Sequence, residues 1–136
     1  MTKRLGSVIL AWILCAGMIF APAGDLVLLT VRAAEIVASG ECGANGDNLT
    51  FTVDDEGVLT IEGTGAMAGS KTTAGRWGVD DSDIKRIVIK DGATTIGYNA
   101  FYKLTNVESV EIPESVTLID QSAFKGDDGL TDITLP

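Results

Sequence analysis

Apolar side chains recur in the second half of this chain at a spacing that fits neither a long helix nor a plain strand. From residue 84 they return at offsets 1, 4, 6, 10, 13, 17 and 18 of a 23-residue window. Ile84, Val107 and Leu130 are successive members of the first offset, Ile87, Val110 and Ile133 of the second, and Ile89, Ile112 and Leu135 of the third. The windows IKRIVIKDGATTIGYNAFYKLTN (84–106) and VESVEIPESVTLIDQSAFKGDDG (107–129) share Ile89/Ile112, Thr94/Thr117, Ile96/Ile119, Ala100/Ala123 and Phe101/Phe124, and a third window begins as LTDITLP (130–136). A fixed period of this length predicts coils stacked into a solenoid.

Each coil has one short strand, in which Val110 and Ile112 turn inward and Glu111 outward. A second extended piece follows at Thr117, Leu118 and Ile119, and a short helical turn at Ala123 and Phe124 drops the ring inward. One coil cannot bury its own apolar face, so stacking is required. It is expected to lay Phe101 over Phe124 and Ile89 against Ile112, each burial contributing about 1.5–3 kcal/mol.

Upstream, LTFTV (49–53) and VLTIE (58–62) alternate apolar and polar residues around DDEG (54–57). That pattern predicts a β-hairpin with Gly57 at a left-handed turn position, placed to cap the first coil. GTGAMAGSKTTAG (63–75) is expected as loop, and Trp77 as a plug at the junction of cap and repeats rather than a sugar-stacking platform. GTGAMA (63–68) has the form of a dinucleotide-binding glycine motif, but GSKTTAGRWG follows it where that motif needs a helix to present amides to a pyrophosphate.

The N-terminus has a different grammar. Lys3 and Arg4 precede an apolar run from Val8 to Phe20, followed by small residues, which is the pattern of an export signal over residues 1–33. Cleavage is expected after Ala33, with Ala23 the other candidate. An uncleaved anchor is the competing reading, although Pro22, Gly24 and Asp25 interrupt a run short of the about 20 residues a span needs. Cys15 sits inside the apolar run after Trp12, Ile13 and Leu14, so it is not read as a lipidation site.

The 136-residue chain carries a net charge of −9, and removal of 1–33 strips Lys3, Arg4 and Arg32 against Asp25, leaving −11. Such acidity disfavours nucleic acid and anionic membrane surfaces, so the only membrane role expected is that of the export signal. Cys42 would remain as the sole cysteine and is read as a small packed residue. The chain has no histidine, which removes Ser-His and Cys-His nucleophile pairs and histidine-bearing zinc sites. Asp54, Asp55, Glu56, Asp80, Asp81, Asp83, Asp127 and Asp128 cluster in turns and are read as solvated; neither DDSD (80–83) nor DD (127–128) has the spacing of a dedicated calcium loop. Asn48, Leu49 and Thr50 form a glycosylation sequon that opens a predicted strand. No catalytic residue, cofactor or metal is expected.

With the repeat written out, the chain resembles the BspA-type leucine-rich repeat family. The resemblance is carried by VEIP (110–113), ITLP (133–136), IGYNAF (96–101), IDQSAF (119–124), the opening SGECG (39–43) and LTIEGTGAM (59–67), and it covers residues 39–136. It implies a curved leucine-rich-repeat solenoid, mostly β, with short parallel strands and short helical turns behind a β-hairpin cap. It further implies an exported, non-enzymatic module for adhesion or ligand recognition, with an extracellular protein or glycan as partner. The domains are then a leader (1–33), a cap region (34–83) and repeats (84–106, 107–129 and the partial 130–136). Relatives often carry Cys where this chain has Leu104 and Asp127. Leu104 suits the inward slot, whereas Asp127 is expected to loosen the second coil. A stop one strand into the third window, leaving Leu130, Ile133 and Leu135 uncovered, is expected to mark a fragment.

In such a solenoid the residues between inward positions line the concave sheet. By register these are Arg86, Val88 and Lys90, then Ser109 and Glu111, then Asp132 and Thr134, giving a basic-to-acidic gradient. Two competing roles are a spacer that holds another domain away from the cell and an N-terminal accessory module of a larger cell-surface hydrolase.

Overall fold

The computed structural model describes residues 32–71 and 75–136. Apart from Arg32 and Ala33, the export leader expected over 1–33 lies outside the described residues.

Two sheets enclose one hydrophobic core. The larger has six strands in the order β1 (Ile36–Gly43), β2 (Gly46–Asp54), β3 (Val58–Gly63), β5 (Arg86–Ile89), β7 (Ser109–Glu111) and β9 (Asp132–Thr134). β1, β2 and β3 pair antiparallel, and from β3 onward every pairing is parallel. The smaller sheet consists of β4 (Gly65–Ala66), β6 (Ala93–Ile96) and β8 (Leu118–Ile119), all parallel.

The 23-residue period is visible as register. Arg86 lies opposite Ser109 and Ser109 opposite Asp132; Ile87, Val110 and Ile133 form the next row. Thr95 and Ile96 lie beside Leu118 and Ile119 in the second sheet. The phenyl rings of Phe101 and Phe124 stack with centroids 5.3 Å apart and planes 21° apart. Backbone bonds join the coils between sheets as well, from Phe101 N–H to Ala123 O at 2.8 Å and from Lys103 N–H to Lys125 O at 2.9 Å. The expected helical turns are separate three-residue closures, from Ala100 N–H to Gly97 O, Tyr102 N–H to Asn99 O and Leu104 N–H to Phe101 O in one coil, and from Ala123 N–H to Asp120 O, Lys125 N–H to Ser122 O and Asp127 N–H to Phe124 O in the next. They do not propagate, because Asn99, Lys103 and Ser122 adopt left-handed backbone.

The hairpin forms as its alternation predicts, with Gly57 at φ +84°. Its second strand does more than cap. β3 runs parallel to β5, with Leu59 opposite Ile87 and Ile61 opposite Ile89, so β3 is itself the first strand of the solenoid. The segment expected as loop contains β4, whose Gly65 lies opposite Ala93. Trp77 then occupies the place of the coil's aromatic residue: it stacks on Phe101 at 5.5 Å and meets the edge of Phe51 at 5.1 Å. Residues 58–71 and 75–83 therefore belong to a divergent first coil, offset from the next by 28 residues where the later coils are offset by 23.

β1 was not expected from the pattern. Its inward positions are Ala38, Gly40 and Cys42, too small to mark an apolar stripe, and Gly40 is small for a reason. A Cβ there would sit 2.8 Å from the Phe51 ring that the strand covers.

Candidate binding face

Alternation along the strands of the large sheet buries Leu59, Ile61, Ile87, Ile89, Val110 and Ile112 and turns their neighbours outward. Arg86, Ser109 and Asp132 form one outward row across three parallel strands, and Val88, Glu111 and Thr134 form the next. Lys90 follows β5, its N–H bonded to Ile61 O at 2.9 Å. All seven residues lie on the solvent side of one sheet: Arg86, Lys90, Asp132 and Thr134 are exposed, and Val88, Ser109 and Glu111 half-exposed.

Arg86 and Glu111 are not independent. The guanidinium Nη2 donates to Glu111 Oε1, closing an ion pair between adjacent coils. About half of the Arg86 side chain and 41% of that of Glu111 remain exposed, so the pair contributes only about 0.2–1 kcal/mol. The expected basic-to-acidic gradient is thereby neutralised at its centre, and among the described residues Lys90 and Asp132 at its ends form no ion pair.

The hairpin extends the same face. Val58 stands beside Arg86 and Thr60 beside Val88, while Thr52 lies opposite Thr60 and Thr50 opposite Glu62 on the antiparallel side. Ser39 and Glu41 of β1 continue these rows. The outward surface thus runs over six strands, about 24 Å from first to last at the usual strand spacing. It is rich in Thr and Val and contains no aromatic side chain. The sequence signal for this extension was the match of VLTIE to RIVIK, hidden because five more residues separate this pair of strands than separate the next.

The remaining candidates resolve into structure. Asn48, in the sequon, donates from Nδ2 to Thr64 O and Ala66 O at 3.0 and 3.1 Å and accepts the Asn45 N–H at 2.9 Å. Its side chain ties the start of β2 to β4. The first glycine of GTGAMA serves close backbone approach: a Cβ on Gly63 would fall 2.3 Å from Asn48 O, and β4 occupies the place where a phosphate-binding motif would begin its helix. Cys42 is buried and free, and burial pushes its thiol up to about 11 despite the opposing Arg76 guanidinium. Arg76 itself donates to Ala68 O at 2.7 Å and lies 4.8 Å from the centre of the Trp77 ring.

Of the acidic clusters, Asp54 accepts the Glu56 and Val58 N–H groups and so shapes the hairpin turn. Asp54, Asp55, Glu56 and Asp83 line an open recess of about 440 Å³ together with Val37, Val53 and Val79. Asp81 carries a partly desolvated carboxyl whose pKa is raised chiefly by that burial, with Asp80 adding to it and a backbone bond from Gly75 opposing. Among the described residues no three acidic or cysteine side chains converge to hold a metal ion.

Comparison with known proteins agrees with this geometry. Residues 72–136 match the family described as BspA type leucine rich repeat region (6 copies). Among solved structures, a leucine-rich repeat protein from Eubacterium ventriosum superposes with a TM-score of 0.58 at 26% identity, over 75% of this chain and 28% of that one. The chain thus spans little more than a quarter of that relative. No curated protein matches it.

Proposed function

Since residues 72–136 match the BspA type leucine rich repeat region, we propose that the protein is an exported, non-enzymatic binding module that recognises an extracellular partner through the outward face of its six-stranded sheet. The observation that carries this reading is the continuity of that face. Parallel pairing of β3, β5, β7 and β9 sets Val58, Arg86, Ser109 and Asp132 side by side, with Thr60, Val88, Glu111 and Thr134 in the row beside them. Such a surface needs no movement to present its side chains, so little conformational entropy is lost on binding.

Its chemistry favours a protein over a glycan. Among the described residues no aromatic ring lies on this face: Trp77, Phe51 and Phe101 are in the core, Phe124 packs against it, and the exposed Tyr98 follows β6, outside the six-stranded sheet. A role without chemistry of its own is supported by the lack of histidine in the chain. Export and a cell-surface location rest on the leader pattern and on the family.

The test is capture of host or cell-surface protein by the chain and by a variant carrying Arg86→Ala, Lys90→Ala and Glu111→Ala. A loss of at least tenfold in affinity with unchanged circular dichroism supports the face as the site. Equal capture by both proteins rejects it and favours the spacer role.

A further inference from the structure

The turn that closes the second coil holds a carboxylate where the first coil holds a leucine. Leu104 is fully buried, and 23 residues later Asp127 is only 9% exposed. Asp127 Oδ1 accepts the Leu104 N–H at 2.8 Å, so the side chain reaches back onto the preceding coil. Its Oδ2 is buried with no hydrogen-bond partner. Glycines on both sides bring the two turns this close. Gly126 takes φ +86°, and a Cβ on Gly129 would stand 2.5 Å from Thr105 O. The bond from Lys103 N–H to Lys125 O is the neighbouring rung.

The carboxyl is therefore pulled in two directions. The bond from Leu104 favours the anion, while enclosure of an oxygen that nothing satisfies favours the acid, because a buried unpartnered charge costs far more than a buried unpartnered hydroxyl.

We propose that Asp127 is a proton-operated clasp between consecutive coils: with the carboxyl neutral, turn 125–130 lies closed on 103–107, and loss of the proton loosens that turn together with β9. Burial is the larger influence and pushes the carboxyl from 3.8 to about 6, the Leu104 N–H opposing and Asp128 reinforcing it. The other charged residues on the segments that meet here are Lys125 on the same turn, Lys103 on the coil beneath, whose N–H bonds Lys125 O, and Glu108, whose carbonyl accepts the Thr131 and Asp132 N–H groups. Because folding raises this acid's proton affinity, its contribution to docking is complete below 3.8 and is lost as pH rises through 6. For a single group with these two values, the opening constant of the turn rises about tenfold between pH 5 and pH 7.5. β9 carries Asp132 and Thr134, so order in the last strand of the outward face follows the same proton. The clasp itself does not depend on what that face binds.

The test combines a carbon-13 NMR titration of the Asp127 carboxyl with amide hydrogen exchange at Lys103, Leu104 and Asp132 in the full chain, corrected for intrinsic exchange, from pH 5 to 7.5. The expected result is a midpoint near 6 and a roughly tenfold fall in protection in the wild type, with no such fall in Asp127→Asn. Should the Asn variant not fold, Asp127→Leu, which repeats the residue of the first coil, takes its place and is expected to give flat protection. A midpoint in the ordinary aspartate range, or the same loss of protection in either variant, overturns the proposal.

Discussion

The indole of Trp77 stacks on the ring of Phe101 at a centroid separation of 5.5 Å and an interplanar angle of 18°, although Trp77 lies outside the 23-residue repeat. With Phe51 at one end and Phe124 at the other, the four rings form a column from the hairpin through both coils. Trp77 is the point where the antiparallel cap and the parallel stack share one packing surface.

Replacing Trp77 by Ala should therefore separate cap from repeats. The indole is 1% exposed, and its loss is expected to cost about 3–5 kcal/mol, with Trp77→Phe costing clearly less because Phe101 keeps a ring to stack on. Urea unfolding followed by circular dichroism reads both. An Ala variant within 1 kcal/mol of wild type, on the order of a surface change, would show that the column is not what joins the two parts.

Asn48 is expected to resist glycosylation. Both of its donor bonds hold β4, so a sugar on Nδ2 would break at least one of them. Expression through a eukaryotic secretory route, followed by intact mass measurement, should show no glycan at this sequon. Asn48→Asp keeps the acceptor for Asn45 but removes the donor to Thr64 O and one of the two donors to Ala66 O, which also accepts the Ala44 N–H, and should destabilise by about 1–3 kcal/mol.

Cys42 should be inert while the protein is folded. A thiol at about 11 contains a negligible thiolate fraction at pH 8, so alkylation by iodoacetamide is expected only after unfolding. Folding raises this group's proton affinity, so the stability it contributes is full below pH 9, the ordinary thiol value, and declines as pH rises toward 11. Rapid labelling of native protein at pH 8 would contradict this.

The repeating half of the fold was readable because its periodicity is carried by large residues. Phe101 and Phe124, and Ile96 and Ile119, mark equivalent places without reference to anything else. The cap was readable only in part. The hairpin announces itself through Leu49, Phe51 and Val53 alternating with threonines, but β1 hides because it presents Ala38, Gly40 and Cys42 to the core. The first coil hides for another reason: β4 is two residues long, and Trp77 falls out of step with the rings it joins. The seven outward positions of the repeats could be assigned by counting. Thr50, Thr52, Thr60 and Glu62 could not, because their membership of the face depends on β3 pairing with β5 across a longer connection. The engagement of Arg86 by Glu111 was equally invisible, since a 25-residue separation says nothing about side-chain reach. Asp127 was recognised as out of place, yet the structure shows it buried and bonded to Leu104 rather than expelled.

The arrangement of β2 and β3 also gives the molecule a direction of assembly. Their turn, Asp54 to Gly57, is short, as is the one that joins β1 to β2, whereas the later strands pair at register offsets of 28 and then 23 residues. Loop closure is the costly step for such pairings, so the hairpin can form first and serve as a template on which β5, β7 and β9 are added in order. Growth then proceeds away from the hairpin, one strand at a time, with each new edge laid down as the seed for the next.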